Sequence, residues 1–172
     1  MSRDNLQGNH ENAAGSLGET PGSGVPIAKN PIAVSEAQPQ DYEKLREIFL
    51  TVRRKAFFWT DPEKLILSDF DESTKGELIL TAYHRGEAVG FVSAWVPDKF
   101  IHSLFVLPEF QGGGAGTALI REAADRVGLP LALKCVKANT SALGYYQSHG
   151  WSIEKEEADL EGPYYLMKYG GR

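Results

Sequence analysis

Cysteine occurs once, at Cys135, so no internal disulfide can form and a disulfide-stapled secreted scaffold is excluded. Histidine is nearly as scarce. His10, His84, His102 and His149 show no metal-ligand spacing, so no metal is expected. No apolar run approaches the ~18–20 residues of a membrane span, and no membrane association is expected. The first residues, Met-Ser-Arg-Asp-Asn-Leu-Gln-Gly, lack the apolar stretch of a signal peptide, which points to the cytoplasm. Positive charge is also in short supply: 18 Lys and Arg against 23 Asp and Glu give a net charge of −5. That argues against an extended nucleic-acid-binding face, which needs clustered cations. It is compatible with a cationic small molecule as partner.

Large apolar residues are almost missing from residues 1–30, which are rich in Gly, Ser, Asn, Pro and Glu. Such a segment buries too little surface to offset its ordering entropy, so 1–30 is expected to be a disordered tail and 31–172 the folded domain. The chain as a whole is 42% hydrophobic and 24% charged, ordinary for a single globular domain. Residues 32–34 read as a strand. Asp41 caps a helix in which Tyr42, Leu45, Ile48, Phe49 and Val52 recur at helical spacing, and Pro62 opens a second helix to about Leu67. Segments 77–84 and 88–96 form a hairpin about Arg85-Gly86, and 100–106 is a further strand. Helices over 115–127 and 139–149 flank an apolar strand at 131–136, and strands near 151–155 and 164–169 close the chain. The order β-α-α-β-β-β-α-β-α-β-β contains a strand–helix–strand crossover, so the fold is expected to be α/β (mixed α+β) with a partly parallel mixed sheet.

The strand at 100–106 runs through Leu107-Pro108-Glu109-Phe110 into Gln111-Gly112-Gly113-Gly114-Ala115-Gly116-Thr117, and a helix follows. Glycines let successive backbone N–H groups converge, and the helix N-terminus adds partial positive charge, so the loop suits a pyrophosphate without a lysine. A surface turn is the alternative. The loop lacks Gly-Lys-Ser/Thr, so it is not a nucleoside-triphosphatase phosphate loop. Gly112-x-Gly114-x-x-Thr117 lacks the third glycine of the dinucleotide fingerprint.

The stretch from Leu104 to Leu119, with Gln111, Gly114 and Gly116 at the pattern positions, resembles the acyl-CoA-binding motif of the GNAT acyltransferases. Downstream, Asn139-x-x-Ala142-x-x-Tyr145-Tyr146-x-x-x-Gly150-Trp151 resembles the second motif of that superfamily, in the right order and on the right elements. The resemblance spans about 32–169. It implies a twisted sheet of six to seven strands flanked by four helices. It also implies an N-acetyltransferase that moves an acetyl group from acetyl-CoA to a primary amine by direct attack on the thioester. The residues it assigns to acetyl-CoA are Leu104, Phe105, Val106, Gln111, Gly112, Gly113, Gly114, Ala115, Gly116, Thr117, Asn139 and Tyr146. Many relatives carry Lys or Arg in the loop where this chain has Gly-Gly-Gly-Ala, so phosphate would rest on backbone amides, helped by Lys137 or Arg121.

The same resemblance makes Tyr146 the general acid for the coenzyme A thiolate; a packing role is the alternative. Asn139 and Tyr146 lie seven apart, on one helix stripe with Ala142, while Tyr145 points elsewhere and reads as packing. His102, two residues before Leu104, is similar in place to a histidine of the aralkylamine N-acetyltransferases, whose further histidine is Phe100 here. It is either the base that deprotonates the amine through water or a hydrogen-bonded structural residue. Cys135 reads as core. The acceptor is expected between the first two helices and the last strands, with Trp59, Asp69 and Tyr164 as candidate contacts. A small-molecule amine is favoured. A protein or aminoacyl-tRNA acceptor, a non-catalytic acetyl-CoA sensor and a homodimer are left open.

Overall fold

The computed structural model describes residues 31–171; the tail expected over 1–30 lies outside the described residues. A single seven-stranded sheet in the order β1-β2-β3-β4-β5-β7-β6 organises the chain. The strands are β1 (Ala33–Glu36), β2 (Leu78–His84), β3 (Glu87–Trp95), β4 (Phe100–Val106), β5 (Leu131–Val136), β6 (Trp151–Asp159) and β7 (Gly162–Tyr169). The helices are α1 (Tyr42–Ala56), α2 (Asp69–Ser73), α3 (Ala115–Val127) and α4 (Thr140–Ser148). Among the described residues only β4 and β5 pair in parallel, as the α3 crossover requires. The fold is thus the mixed α/β architecture with four helices that the sequence pattern implies.

Alternation along the central strands gives the sheet two buried faces. Leu104 and Val106 join Leu119, Ala123, Leu133, Cys135 and Tyr146 in a core under α3 and α4. Phe105 and Phe91 join Leu45, Ile48, Phe49 and Phe70 in a second core under α1 and α2. In the second core Phe49 meets Phe105 edge-on at 5.1 Å, and Phe70 meets Phe91 at 5.3 Å. Truncating any one of these rings to alanine is the kind of change that costs about 3–5 kcal/mol.

Two boundaries differ from the sequence expectation. Pro62 opens only a 3-10 turn at Pro62–Lys64, because Asp61 caps the Glu63 N–H and Leu65 is already extended and buried. The second helix comes later, at Asp69–Ser73. There Asp69 accepts from the Ile66 N–H and from Arg53, and Asp71 takes both arms of Arg46 on α1. Strand β6 runs four residues past Lys155, to Asp159. Its middle is Glu154-Lys155-Glu156-Glu157, a charged run within which the expected strand ends. It forms a solvated edge strand, stitched by Lys168 to Glu154 at 2.6 Å and by Tyr164 to Glu157 at 2.8 Å.

Cys135 is fully buried in β5, and burial pushes its thiol up to about 12. At pH 8 only about 10⁻⁴ of such thiols are ionised, and the thiolate is the nucleophile. A disulfide reagent is therefore expected to leave the native protein unlabelled and to titrate one thiol after denaturation. Rapid labelling of the native protein would contradict the burial.

Candidate active site

Strand β4 carries the centre of the site, and two irregularities coincide on it. On one side Ser93 pairs with Ser103 but Ala94 pairs with Ile101, so His102 is the extra residue of a β-bulge. On the other side pairing with β5 is confined to Phe100↔Ala132 and Ile101↔Leu133. The two strands part there, leaving the later edge of β4, from Ser103 to Val106, outside the ladder with β5.

At the end of β4 the chain turns through Leu107-Pro108-Glu109-Phe110 into the glycine loop. The Gln111 side-chain amide donates to the Val106 carbonyl at 3.0 Å and ties the loop to the strand. Gly112 and Gly114 have φ of +78° and +90°, a region costly to side chains, and a Cβ on either would meet nothing within 4 Å. Gly114 is the N-cap of α3 and supplies no side-chain cap, so the first N–H groups of a thirteen-residue helix face an open cradle. The groove beside it, of about 170 Å³, is lined by Val106, Phe110, Gln111, Gly112, Gly114, Gly116, Thr117, Tyr145 and His149. Gly113 lies between two lining glycines, and Ala115 is buried beneath.

Helix α4 forms the far wall. Asn139 caps it, accepting from the Ala142 N–H at 3.1 Å, while its own Nδ2 is buried with no hydrogen-bond partner among the described residues. Ala142 and Tyr146 are the buried positions of the helix. The Tyr146 ring is fully buried and edge-on to Trp151 at 5.4 Å. Tyr145, expected to pack, packs against the core and also lines the groove. It stacks on His149 at 4.0 Å, and its hydroxyl lies 3.5 Å from the Thr117 hydroxyl. Burial raises its phenol above the ordinary range. The i,i+4 spacing of Tyr145 and His149, next to Thr117 on the loop helix, is the pattern that could have indicated this wall.

Neither Lys137 nor Arg121 lines the groove. Lys137 pairs with Glu156 at 2.7 Å, which holds its ammonium above the ordinary range, and Arg121 is exposed on α3.

A second cleft, of about 470 Å³, opens on the α1 side of the sheet. It is lined by Arg53, Trp59, Thr60, Asp61, Lys64, Leu65, Asp69, Leu160 and Glu161. Trp59 stacks on Phe57 at 4.8 Å, and its indole N–H is buried with no partner among the described residues. Asp69 lines the cleft but pairs with buried Arg53 at 3.0 Å. Tyr164 is not among the lining residues. Its hydroxyl donates to Glu157, which pushes the phenol up to about 12, and its ring lies under Lys134 at 4.6 Å. Lys134 pairs in turn with Asp159 and braces the β6–β7 turn against β5.

The contact the sequence did not reveal is Glu77. It immediately precedes β2, and its carboxylate meets the His102 Nδ1. Among the described residues no group of three or more His, Cys, Asp or Glu is arranged to hold a metal ion, and no helix is long and apolar enough to cross a membrane.

The site thus joins a mixed sheet that parts between β4 and β5 to a glycine-rich loop at a helix N-terminus. Residues 42–151 match the acetyltransferase (GNAT) family, and the chain belongs to it. No curated protein sequence matches the chain. Among solved structures, the apo form of YjaB from Escherichia coli is 21% identical, with a TM-score of 0.67 over 83% of this chain and 99% of its own. The PaiA N-acetyltransferase of Thermoplasma acidophilum, in complex with coenzyme A, is 18% identical, with a TM-score of 0.59 over 82% and 99%. A ribosomal-protein-alanine N-acetyltransferase of Brucella melitensis is 19% identical, with a TM-score of 0.60 over 81% and 99%. The acceptors within this fold thus include a protein.

Proposed function

We propose that this acetyltransferase binds acetyl-CoA in the α3–α4 groove and transfers its acetyl group to the primary amine of a small molecule held in the α1-side cleft. The observation that carries the reading is the parting of β4 from β5 after Ile101, with one groove reaching Val106 at the end of β4 and a larger cleft beside α1. A thioester lying in that gap is reachable by an amine from the other side, so direct attack needs no acyl-enzyme. The enzyme is read as cytoplasmic and independent of a metal.

Transfer needs a neutral amine, a polarised carbonyl and a proton for the leaving thiolate. The glycine loop and the N-terminus of α3 hold the pyrophosphate, and the buried Nδ2 of Asn139 is a donor suited to a pantetheine carbonyl. Backbone N–H groups on the open edge of β4 suit the thioester oxygen. Tyr146 protonates the thiolate, and His102 takes the proton of the ammonium through water. In the cleft the Trp59 ring and the carboxylates of Asp61 and Glu161 receive the cationic acceptor, while Asp69 shapes the wall through Arg53. A cleft of about 470 Å³ falls in the ~300–1,000 Å³ range of small-molecule sites.

A panel of amines assayed by thiol release from acetyl-CoA tests the reading. Turnover with at least one small primary amine, above the slow hydrolysis seen without acceptor, is the expected result. Saturable acetyl-CoA binding with no acceptor-dependent release across the panel would overturn it. One observation favours a peptide acceptor instead: Phe58, Ile66, Leu67 and Leu160, at or next to the lining residues, are 79%, 53%, 48% and 107% exposed. An apolar rim of this kind suits a macromolecular partner. A higher kcat/KM for peptides bearing a free N-terminus than for any free amine would select that reading.

A further inference from the structure

His102 owes its position to two features of the sheet. The bulge removes it from the β3 register, and the last β4–β5 pair lies just before it. Its Nδ1 meets Oε1 of Glu77, and its ring lies 4.9 Å from that of Phe100. Glu77 reaches this point from the residue before β2; its backbone N–H is held by the Thr74 carbonyl at 3.0 Å, where α2 ends. Its side chain is only 3% exposed, against 19% for the imidazole.

A carboxylate this deeply buried is costly unless it is fully hydrogen-bonded. Glu77 is not: Oε2 is buried with no hydrogen-bond partner among the described residues. A glutamine or an apolar residue of the same size would satisfy the fold as well or better, so a role beyond stability accounts for the carboxylate. Two hydroxyls, Thr81 on β2 and Ser93 on β3, are likewise buried with no hydrogen-bond partner among the described residues.

We infer that Glu77 is a positioning residue for the proposed proton transfer, an inference that rests on the reading of His102 as the base. An ionised carboxylate can only accept, so its contact fixes the proton of the neutral ring on Nδ1 and leaves the lone pair on Nε2. The ammonium of the acceptor gives one proton, through water, to Nε2. The imidazolium so formed keeps its Nδ1 proton against Glu77, whose negative charge balances it. The neutral amine then attacks the thioester carbon, and the C–S bond breaks as Tyr146 gives its proton to the departing thiolate. The nitrogen's second proton returns to the Tyr146 phenolate as the amide forms, and the Glu77 carboxylate changes neither protonation nor bonding.

Nitrogen-15 spectra of the histidine-labelled enzyme, with the His102 ring recognised by its loss in His102→Gln, read the tautomer directly. The neutral ring is expected to carry its proton on Nδ1. The Nε2–H form in the wild-type enzyme would overturn the inference without any variant. Glu77→Gln replaces an obligate acceptor with an amide. It is expected to abolish the single tautomer and lower kcat roughly 10-fold or more, with KM for acetyl-CoA and the melting temperature nearly unchanged; Glu77→Asp should recover part of kcat. His102→Gln separates the two claims. If it slows turnover ~10²-fold while Glu77→Gln keeps full kcat, the base stands and Glu77 is structural. If His102→Gln itself keeps full kcat, the base reading fails and the positioning role falls with it. Should Glu77→Gln not fold, the wild-type tautomer and the kcat of Glu77→Asp decide.

Discussion

Gly114→Glu is expected to abolish the stabilisation of this protein by acetyl-CoA. In the wild type, a ligand at 100 times its Kd adds about 2.7 kcal/mol to stability by mass action. For a chain of this size that is a rise in melting temperature of roughly 5–10 °C. The substitution attacks the cradle in two ways. Gly114 has φ +90°, which costs an L side chain about 1–2 kcal/mol in the left-handed region. It also places a carboxylate at the N-cap of α3, in the position the pyrophosphate is proposed to occupy, where no Lys or Arg is among the residues lining the groove. The first effect lowers the melting temperature of the free protein; the second removes the ligand shift. Gly114→Ala separates them, because its Cβ would meet nothing within 4 Å. It should carry the backbone penalty and keep most of the shift. Equal ligand shifts in wild type and Gly114→Glu would remove the loop from the cofactor site.

The loop was readable because its chemistry is local. Glycines at 112 and 114 and an apolar helix after them specify a backbone conformation within a dozen residues, and the structure gives both glycines the positive φ that only glycine adopts cheaply. The mixed sheet was readable for a similar reason, since period-2 strands alternating with period-3.6 helices leave few topologies. The misplaced second helix shows the limit of local reasoning. Pro62 is a sound helix start, but the helix forms at Asp69–Ser73 because Arg53 and Arg46, a helix away in sequence, pair with Asp69 and Asp71. Glu77 and the bulge at His102 are wholly non-local. The strand alternation over 100–106 puts His102 level with Leu104, and only the pairing of β3 with β4 shows that His102 is itself the extra residue, between Ile101 and Ser103. No pattern around Glu77 distinguishes it from a polar residue leading into a strand. Its burial comes from α2 ending above it and β4 lying two strands away. The acidic residues near the acceptor cleft make the same point. The sequence points to Asp69 as a contact, whereas the structure commits Asp69 to Arg53, Glu157 to Tyr164 and Lys155, and Glu161 to Lys134.

Tyr146→Phe is expected to lower kcat by about 10²-fold while leaving acetyl-CoA binding nearly intact. The substitution is unusually clean. Tyr146 is fully buried with its ring edge-on to Trp151 and 5.7 Å from the Tyr145 ring, and phenylalanine keeps both contacts. Loss of the hydroxyl alone should change stability by no more than about 1–2 kcal/mol. A residue that only packs would therefore show a small stability change and a normal rate. A general acid would show the reverse, because collapse of the tetrahedral intermediate must expel a thiolate into a buried site, where an unprotonated anion is poorly stabilised. The pH dependence sharpens the distinction. A thiol of ordinary acidity has a pKa near 8.5, so above about that pH the thiolate is stable in water and its protonation matters less. The deficit of the phenylalanine variant should thus be greatest near neutrality and narrow towards pH 9 and above, with single-turnover measurements ensuring that chemistry limits the rate. A rate equal to wild type at every pH, with chemistry limiting, would make Tyr146 a core residue and move the acid elsewhere. Tyr145, whose hydroxyl lines the groove beside Thr117, would then be the next group to substitute.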